Sequence, residues 1–216
     1  VVGVTMPGFG TSDRTYQNAL QLMTELGITH REISICNVAT QHLNDIAHNM
    51  DVHDATYENA QARVRTLILM DLANELNGLV VGTGDLSELA LGWCTYNGDQ
   101  MSMYSVNAGI PKTLVKYLVK FAAENLYGEP LRSILLDVVE TPVSPELLPT
   151  DEHGEIAQKT EDKVGPYELH DFFLYYMLRV TYEPLKIYRV AKLAFAGVYD
   201  DATILKWLKT FYWRFF

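Results

Sequence analysis

Hydroxyl and carboxylate side chains cluster in one short segment of the sequence. The turn Gly82–Asp85 directly follows the apolar run Leu79–Val81, and Glu88 comes shortly after it. The run predicts a buried strand, and Ser87 with Glu88 predicts the start of a helix. Parallel sheets bind ligands beyond the carboxyl ends of their strands. The segment is therefore a candidate site where a hydroxyl, two carboxylates and glycine backbone meet a ligand.

The glycine spacing alone leaves the ligand open. Gly82-x-Gly84-x-x-Ser87 is similar to a dinucleotide fingerprint without its third glycine, and no acidic residue ends a second strand at the expected distance. A tight strand-to-helix turn that needs glycine only for steric reasons explains the pattern as well.

Two cations elsewhere are further candidates. Arg63 lies four residues after Asn59 on a predicted helix and shares a side with it, although a solvated arginine is the ordinary interpretation. Lys112 follows Pro111 in the first turn of another predicted helix. A cation there opposes the helix dipole unless an anion lies nearby, which favours a phosphate ligand.

These residues need a scaffold of strands and helices. The apolar runs predict strands at 1–5, 30–35 and 79–81, and helical periodicity predicts helices over about 12–26, 38–47, 55–76, 112–127 and 131–139. Ser12 is the expected cap of the first helix, and Gly27 is its expected end. Alternating strands and helices indicate an α/β fold with a doubly wound, mostly parallel sheet and helices on both faces. In 112–127 the residues expected to face inward are Leu114, Val115, Leu118, Phe121 and Ala122.

The second half of the chain has a different character. Residues 141–149 carry three prolines and predict a loop, and the acidic stretch 151–164 predicts a solvated loop. Residues 167–216 are helical and rich in aromatic side chains, which indicates a core or a subunit interface. Few basic residues interleave with these rings, so they do not form a platform for nucleic-acid bases.

Composition narrows the function classes. The 216 residues suffice for one large domain, and the net charge of −10 argues against nucleic acid and anionic membrane surfaces as partners. Two isolated cysteines make neither a disulfide framework nor a zinc site, so the expected location is cytoplasmic. No signal peptide and no apolar run of membrane-spanning length is present in the sequence.

A longer segment carries a family resemblance. Residues 82–113, GTGDLSELALGWCTYNGDQMSMYSVNAGIPKT, resemble the core signature of NAD synthetases, closest to the long, glutamine-dependent type. The similarity extends to VVGVTMPGFGTSDRTYQNAL at the start, ENAQARVRT in the middle and KTEDKVGPYELHDFFL later. It implies an adenine nucleotide alpha-hydrolase-like fold over residues 1–216.

The resemblance implies a ligase reaction with ATP and Mg²⁺. ATP adenylates the nicotinate carboxylate of deamido-NAD and releases pyrophosphate, and ammonia then attacks the acyl-adenylate to give NAD and AMP. In the long type, a nitrilase-like glutaminase domain of the parent chain supplies the ammonia. A homo-oligomer is also expected.

The resemblance also implies roles for single residues. ATP is expected at Thr83, Lys112 and Ser144, and Mg²⁺ at Glu88. Asp99 is the expected catalytic residue, which orients the carboxylate or the ammonia. The residues expected to bind deamido-NAD are Asn59, Arg63, Glu88, Trp93, Cys94, Thr95, Tyr96 and Asp99. The comparable region to 151–164 covers the active site in the family.

The chain departs from the family pattern at three places. The short, ammonia-dependent members carry a lysine where Tyr96 and Asn97 stand. The Ser-Gly-Gly-x-Asp-Ser pyrophosphatase loop, expected before Val1, and a basic segment, expected after Phe216, are absent from the sequence. The sequence also has no Cys-Glu-Lys arrangement of a glutaminase. We therefore expect a domain truncated at both ends, and we expect the isolated chain to be inactive.

Three other functions stay open. One is another ATP-pyrophosphatase amidotransferase similar to GMP synthetase, which would take xanthosine monophosphate. Another is a non-catalytic oligomerisation module built from the aromatic helices. The last is an NAD-binding oxidoreductase module, against which the lack of a nearby acid–base pair counts.

Overall fold

Short parallel strands and longer helices make up the fold in the computed structural model, which describes residues 1–144, 146–149 and 160–216. Its strands are β1 (Val2–Thr5), β2 (Thr29–Glu32), β3 (Val81–Gly82) and β4 (Tyr104–Ser105). Its helices are α1 (Asp13–Glu25), α2 (Cys36–Asp45), α3 (Ala55–Glu75), α4 (Leu86–Leu91), α5 (Lys112–Asn125), α6 (Leu131–Glu140), α7 (Thr160–Val164), α8 (Tyr167–Leu178), α9 (Pro184–Ala194) and α10 (Asp201–Phe215).

The strands pair in parallel, which confirms the predicted α/β class. β1 pairs with β2, with Val2 opposite Thr29, and β3 pairs with β4, with Val81 opposite Tyr104. Within the described residues these are two separate two-stranded sheets and not one continuous sheet. The sequence pattern did not predict β4, because a two-residue strand has no measurable alternation.

Side-chain caps fix where the helices begin. Ser12 caps α1 as predicted, since its hydroxyl accepts a hydrogen bond from the Thr15 amide. Asp54 caps α3 and accepts from the Thr56 and Tyr57 amides at 2.8 and 3.1 Å. Gly27 follows α1 with a φ of 64°, in the left-handed region that favours glycine.

The largest core lies among the C-terminal helices. Phe173 and Phe211 are fully buried there, and Leu91 of α4 packs into the same cluster. The aromatic segment is therefore a core, one of its two predicted roles. A second cluster joins α2 and α3 around Ile35, Ala39 and Val64. The short helix α4 thus belongs to the C-terminal core and not to the β1–β2 half.

The predicted inward face of α5 is wrong at three of its five residues, and the other two, Val115 and Ala122, are half-buried. Leu114, Leu118 and Phe121 keep 43%, 45% and 48% of their surface exposed, whereas Ala123 is buried. α5 packs against α6 and α8, and small residues such as Ala123 permit that approach. Helical periodicity finds an apolar face, but it does not show whether the same chain covers that face.

The segment after α6 agrees only partly with the sequence. Residues 141–144 and 146–149 are irregular, as predicted. The predicted loop at 151–164 lies outside the described residues as far as position 159, and from Thr160 to Val164 it is the helix α7. Among the described helices, none combines the length and apolar character that crossing a bilayer requires.

Candidate functional site

A cleft of about 1060 Å³ runs along the carboxyl ends of the strands. Residues after β1 and β3, one side of α1, the side of α3, residues 141–144 and 146–147, and parts of α7 and α8 line it. Most predicted site residues meet there: Asn59, Thr83, Glu88, Trp93, Cys94, Thr95, Asp99 and Ser144. This volume is at the upper end for pockets that bind drug-sized molecules, so the cleft has room for a larger ligand.

A capping box shapes the turn from β3 into α4. The Asp85 carboxylate accepts from the Glu88 amide at 2.9 Å, and the Glu88 carboxylate accepts from the Asp85 amide at 3.3 Å. Asp85 is 4% exposed, whereas Glu88 lines the cleft. The sequence therefore fixes the Glu88 side chain at the cleft wall through local hydrogen bonds.

Lys112 forms ion pairs with both carboxylates. Its Nζ lies 2.6 Å from Asp85 Oδ2 and 2.8 Å from Glu88 Oε1. Burial alone would lower the Lys112 pKa, but hydrogen bonds and charge attraction from Asp85 and Glu88 outweigh it and raise the pKa. A lysine in the first turn of a helix was expected to have an anion nearby, and the carboxylates of Asp85 and Glu88 are such anions. Lys112 lies behind Glu88 and is not itself a lining residue of the cleft.

The donor set around Glu88 fits Mg²⁺ only with help from a ligand. Among the described residues no group of three His, Cys, Asp or Glu side chains could hold a metal ion. Mg²⁺ commonly takes one or two carboxylates and completes its shell with phosphate and water oxygens. Glu88 can supply one such oxygen at the cleft wall, so the fit requires bound phosphates.

Trp93 also lines the cleft, on the turn after α4, where its amide donates to the Glu88 carbonyl at 3.1 Å. The Arg214 guanidinium lies 4.9 Å from the centre of its ring and also donates to the Leu91 carbonyl at 3.3 Å. Cation–π contact and this anchor hold the indole in place. The arrangement can present one ring face to an aromatic ligand.

Asp99, Thr95 and Asn59 line a further part of the same cleft. The Asp99 carboxylate lies 3.6 Å from an Arg65 nitrogen, and the Thr95 hydroxyl donates to the Asn59 side chain at 2.8 Å. The Arg65 side chain is only 16% exposed. A partly buried arginine therefore orients the predicted catalytic carboxylate.

Besides Lys112, two predicted residues do not line the cleft, Arg63 and Tyr96. Arg63 is exposed, and its Nε donates to the Tyr96 carbonyl at 3.3 Å. The Tyr96 side chain is itself 86% exposed. Asn59 and Arg63 share a side of α3, as their spacing predicted, because Asn59 bonds Thr95 and Arg63 bonds Tyr96 in the loop after α4. Cys94 lines the cleft with an exposed surface. The pKa of its thiol is raised, mainly because surrounding protein atoms partly desolvate the sulfur and next because of the charges of Glu88 and Asp99.

Four lining or supporting residues escaped the sequence argument. Arg65, Arg214 and Tyr167 line the cleft, and Asp171 lies behind it. The spacing of Arg65 from Glu58 on α3 was a usable signal, since residues seven apart share a helix face. Arg214 and Asp171 offered no signal, because their partners are far away in sequence.

Glu146 closes another part of the wall. Its carboxylate accepts from the Thr15 hydroxyl at 2.5 Å and from the Ser12 amide at 3.4 Å. The Glu146 amide donates to the Ser144 hydroxyl at 3.2 Å. These contacts hold Ser144 against the start of α1, at the side of the cleft opposite α4.

Comparisons with known proteins agree on one family. The family model described as NAD synthase matches residues 1–188. The chain is similar to the glutamine-dependent NAD(+) synthetase of Mycobacterium leprae (strain TN), with 47% identity over 193 residues that cover 87% of this chain and 28% of that protein. The chain spans about a third of the length of the curated relatives it matches.

Solved structures support the fold. A glutamine-dependent NAD(+) synthetase from Cytophaga hutchinsonii superposes with a TM-score of 0.71 at 22% identity, covering 98% of this chain and 33% of that one. The glutamine-dependent NAD+ synthetase from Acinetobacter baumannii, solved in complex with adenosine diphosphate, gives a TM-score of 0.57 at 26% identity, covering 95% and 34%. The second shows that a relative binds an adenine nucleotide.

Proposed function

This chain belongs to the NAD synthase family, and on that premise we propose that the full-length protein containing it amidates deamido-NAD to NAD. The reaction uses ATP and ammonia and releases AMP and pyrophosphate. The observation that carries the proposal is the meeting of Thr83, Glu88, Trp93 and Asp99 in one cleft. The relatives' name supports glutamine as the ammonia source. A nitrilase-like glutaminase domain of the full-length protein as the supplier of that ammonia is part of the proposal.

The chemistry requires activation of a carboxylate. Nicotinate is a poor electrophile, so ATP converts one of its oxygens into an AMP leaving group. Pyrophosphate departs with several negative charges, which must be neutralised as they develop. The acyl-adenylate then has to be kept from water until ammonia attacks it.

The α4 end of the cleft suits the phosphates. Thr83 offers a hydroxyl, and Ser144 offers another from the opposite wall. Glu88 would hold Mg²⁺, which neutralises phosphate charge when bound. Lys112, protonated and held on Glu88 and Asp85, lies behind Glu88, so its charge offsets those of the two carboxylates beside the phosphates.

The Trp93 end suits the pyridine ring. Trp93 can stack on nicotinate while Arg214 holds the indole from its side. Asn59, Thr95, Cys94 and Asp99 line the wall beside it. Asp99 lies where it can orient the carboxylate or the ammonia, and Arg65 fixes its direction. Arg63 and Tyr96 would reach the dinucleotide only if the loop after α4 moved inward.

Replacement of Glu88 tests the proposal. In the full-length protein, Glu88→Gln removes the charge at the cleft wall while it keeps the size of the side chain. We expect kcat/KM for deamido-NAD to fall roughly 100-fold or more, as for other losses of transition-state charge stabilisation. The measurement is NAD formed with equimolar AMP and pyrophosphate. The matched control is Glu25→Gln at the exposed end of α1, outside the cleft, which should keep wild-type activity.

Other outcomes would replace the proposal. Full activity of Glu88→Gln would remove Glu88 from the site. AMP release with xanthosine monophosphate, and none with deamido-NAD, would establish an amidotransferase similar to GMP synthetase. A protein whose melting temperature does not respond to ATP or to deamido-NAD would be a non-catalytic module.

We also propose that two copies of this protein associate through α5. The exposed Leu114, Leu118 and Phe121 recur at helical spacing on one face, and Tyr117 beside them is 66% exposed. An apolar stripe of this kind is typical of a face that another surface covers. A second copy is the simplest partner, because a two-fold axis brings the same stripe to itself. Both cysteines are free thiols, in line with the cytoplasm that we propose as the compartment.

A further inference from the structure

We propose that Asp171 is a positioning residue, which acts through Lys112 at the phosphate end of the cleft. Asp171 belongs to α8 and does not line the cleft. Its carboxylate reaches the first turn of α5, where Lys112 begins the helix. The proposal rests on the proposed function only for the statement that Lys112 serves ATP.

A buried hydrogen-bond network joins three helices at this point. Asp171 Oδ2 accepts from the Thr113 amide at 2.9 Å and from the Thr113 hydroxyl at 2.7 Å. Asp171 Oδ1 accepts from the Ser87 hydroxyl. The Ser87 oxygen in turn accepts from the Lys112 amide at 2.8 Å. The network therefore supplies acceptors to the first two amides of α5 from α4 and α8.

α5 depends on this network because it has no cap of its own. The residue before it is Pro111, whose side chain makes no capping hydrogen bond. A helix without a cap leaves its first amides without partners, which destabilises its first turn. Asp171 and Ser87 replace the missing cap from outside the helix.

The network also balances the charge of Lys112. A cation in the first turn of a helix is disfavoured by the helix dipole. Asp171 places a negative charge at the same helix end. The Asp171 and Ser87 residues are both buried, with 7% and 1% of their surface exposed. A buried carboxylate is tolerated when donors satisfy it, and Asp171 has three. Asp171 thus allows Lys112 to start α5 with its ammonium on Asp85 and Glu88.

Asp171→Asn in the full-length protein is the test. Asparagine keeps the shape, but its amide group cannot accept from Thr113 and Ser87 at both positions. We expect the KM for ATP to rise at least tenfold, with a change of less than threefold in the KM for deamido-NAD. The matched control is Asp200→Asn, which removes a carboxylate cap that accepts from the Thr203 amide at 2.7 Å at the start of α10. This control should leave both KM values within twofold.

A double-variant cycle separates positioning from general stability. If Asp171 acts through Lys112, Asp171→Asn added to Lys112→Ala changes the KM for ATP by less than twofold beyond Lys112→Ala alone. An equal tenfold loss in both backgrounds would overturn the proposal. If Asp171→Asn does not fold, Thr113→Val removes one donor alone, and the same cycle with Lys112→Ala applies.

A readout without catalysis distinguishes this proposal from the proposed function. An amine-reactive acylating reagent, followed by mass spectrometry, reports how accessible Lys112 is. We expect Asp171→Asn to label Lys112 at least fivefold faster than wild type, and Asp200→Asn to label it at the wild-type rate. Equal rates in all three proteins would overturn the proposal. If wild type forms no NAD but the labelling rates differ, the proposed function fails while the positioning of Lys112 by Asp171 stands.

Discussion

At the scale of single residues, the pair Arg65–Asp99 makes a sharp prediction. Arg65→Ala frees the Asp99 carboxylate, which Arg65 approaches to 3.6 Å from a nearly buried position. We expect the KM for deamido-NAD to rise roughly tenfold, since losing a partly buried charged contact costs about 1.5 kcal/mol or more. Steady-state kinetics of the full-length protein measure the effect.

Arg31→Ala is the control for Arg65→Ala. Arg31 pairs with Glu75 at 3.3 Å, but both side chains are exposed, at 38% and 63%. An exposed ion pair contributes at most about 1 kcal/mol to stability. Arg31 and Glu75 also lie outside the cleft. Equal effects of the two variants on the KM would show that Arg65 does not orient Asp99.

Sequence reasoning worked best where contacts are local. Ser87 with Glu88 predicted a helix start after a strand, and α4 begins there at Leu86, although its cap is Asp85, which was not predicted as a cap. Arg63 shows the limit, because helical spacing gave its side but not its contact with Tyr96. Asp171 was beyond reach, since its partner Ser87 is 84 residues away in sequence.

At the scale of elements, the start of α8 is sensitive to pH. His170 is 1% exposed, and burial is the main cause that lowers its pKa. Its Nε2 bonds the Val164 carbonyl at 2.8 Å, so the neutral ring donates there. Asp171 and Glu161 nearby favour the charged ring, and Arg214 opposes it, without reversing the shift.

The free energy of unfolding should therefore fall as the pH drops below about 6.5. In that range the histidine binds a proton in the unfolded protein but not in the folded one. Proton binding therefore stabilises the unfolded state relative to the folded state. Urea unfolding between pH 5.5 and 7.5 measures this slope. His170→Phe should flatten it, whereas His42→Asn on the exposed side of α2 should keep it. An unchanged slope in His170→Phe would exclude His170 as its source.

The turn between β1 and α1 makes a second prediction at this scale. A Cβ at Gly10 would lie 2.2 Å from the Leu148 carbonyl oxygen and 2.7 Å from that of Glu146. Backbone must move to relieve such contacts, so Gly10→Ala should destabilise the fold by about 1–3 kcal/mol. Gly128→Ala, where nothing lies within 4 Å, should change stability by less than about 0.5 kcal/mol. Thermal unfolding compares the two variants.

Element boundaries were predictable to within a few residues, but element partners were not. Periodicity placed α5 well, because its apolar residues recur on one side. The bounds of α3 were also predicted closely, although its apolar residues are spread around the helix. It assigned the apolar face of α5 to the interior, since a pattern shows which residues share a side and not what lies opposite. The parallel pairing of β1 with β2 was inferable from the intervening α1, whereas the division into two sheets was not.

At the scale of the whole molecule, α5 predicts self-association. Phe121→Glu places a charge on the exposed apolar stripe of α5. We expect it to separate the two associated copies of the full-length protein, so that single copies sediment. Leu193→Glu on α9 is the control, since Leu193 is 81% exposed but lies on another helix. Sedimentation velocity distinguishes the species. The same sedimentation coefficient for wild type and Phe121→Glu would exclude this face as the interface.

The link between α4 and the last helices sets the order in which the site is completed during synthesis. Arg214 bonds the carbonyl of Leu91 from 123 positions further along the chain, and Phe211 shares a core with the same leucine. A ribosome delivers these side chains only after the rest of the cleft has emerged. Until α10 has emerged, a nascent chain therefore exposes the α4 turn without Arg214 and Phe211 packed beside it.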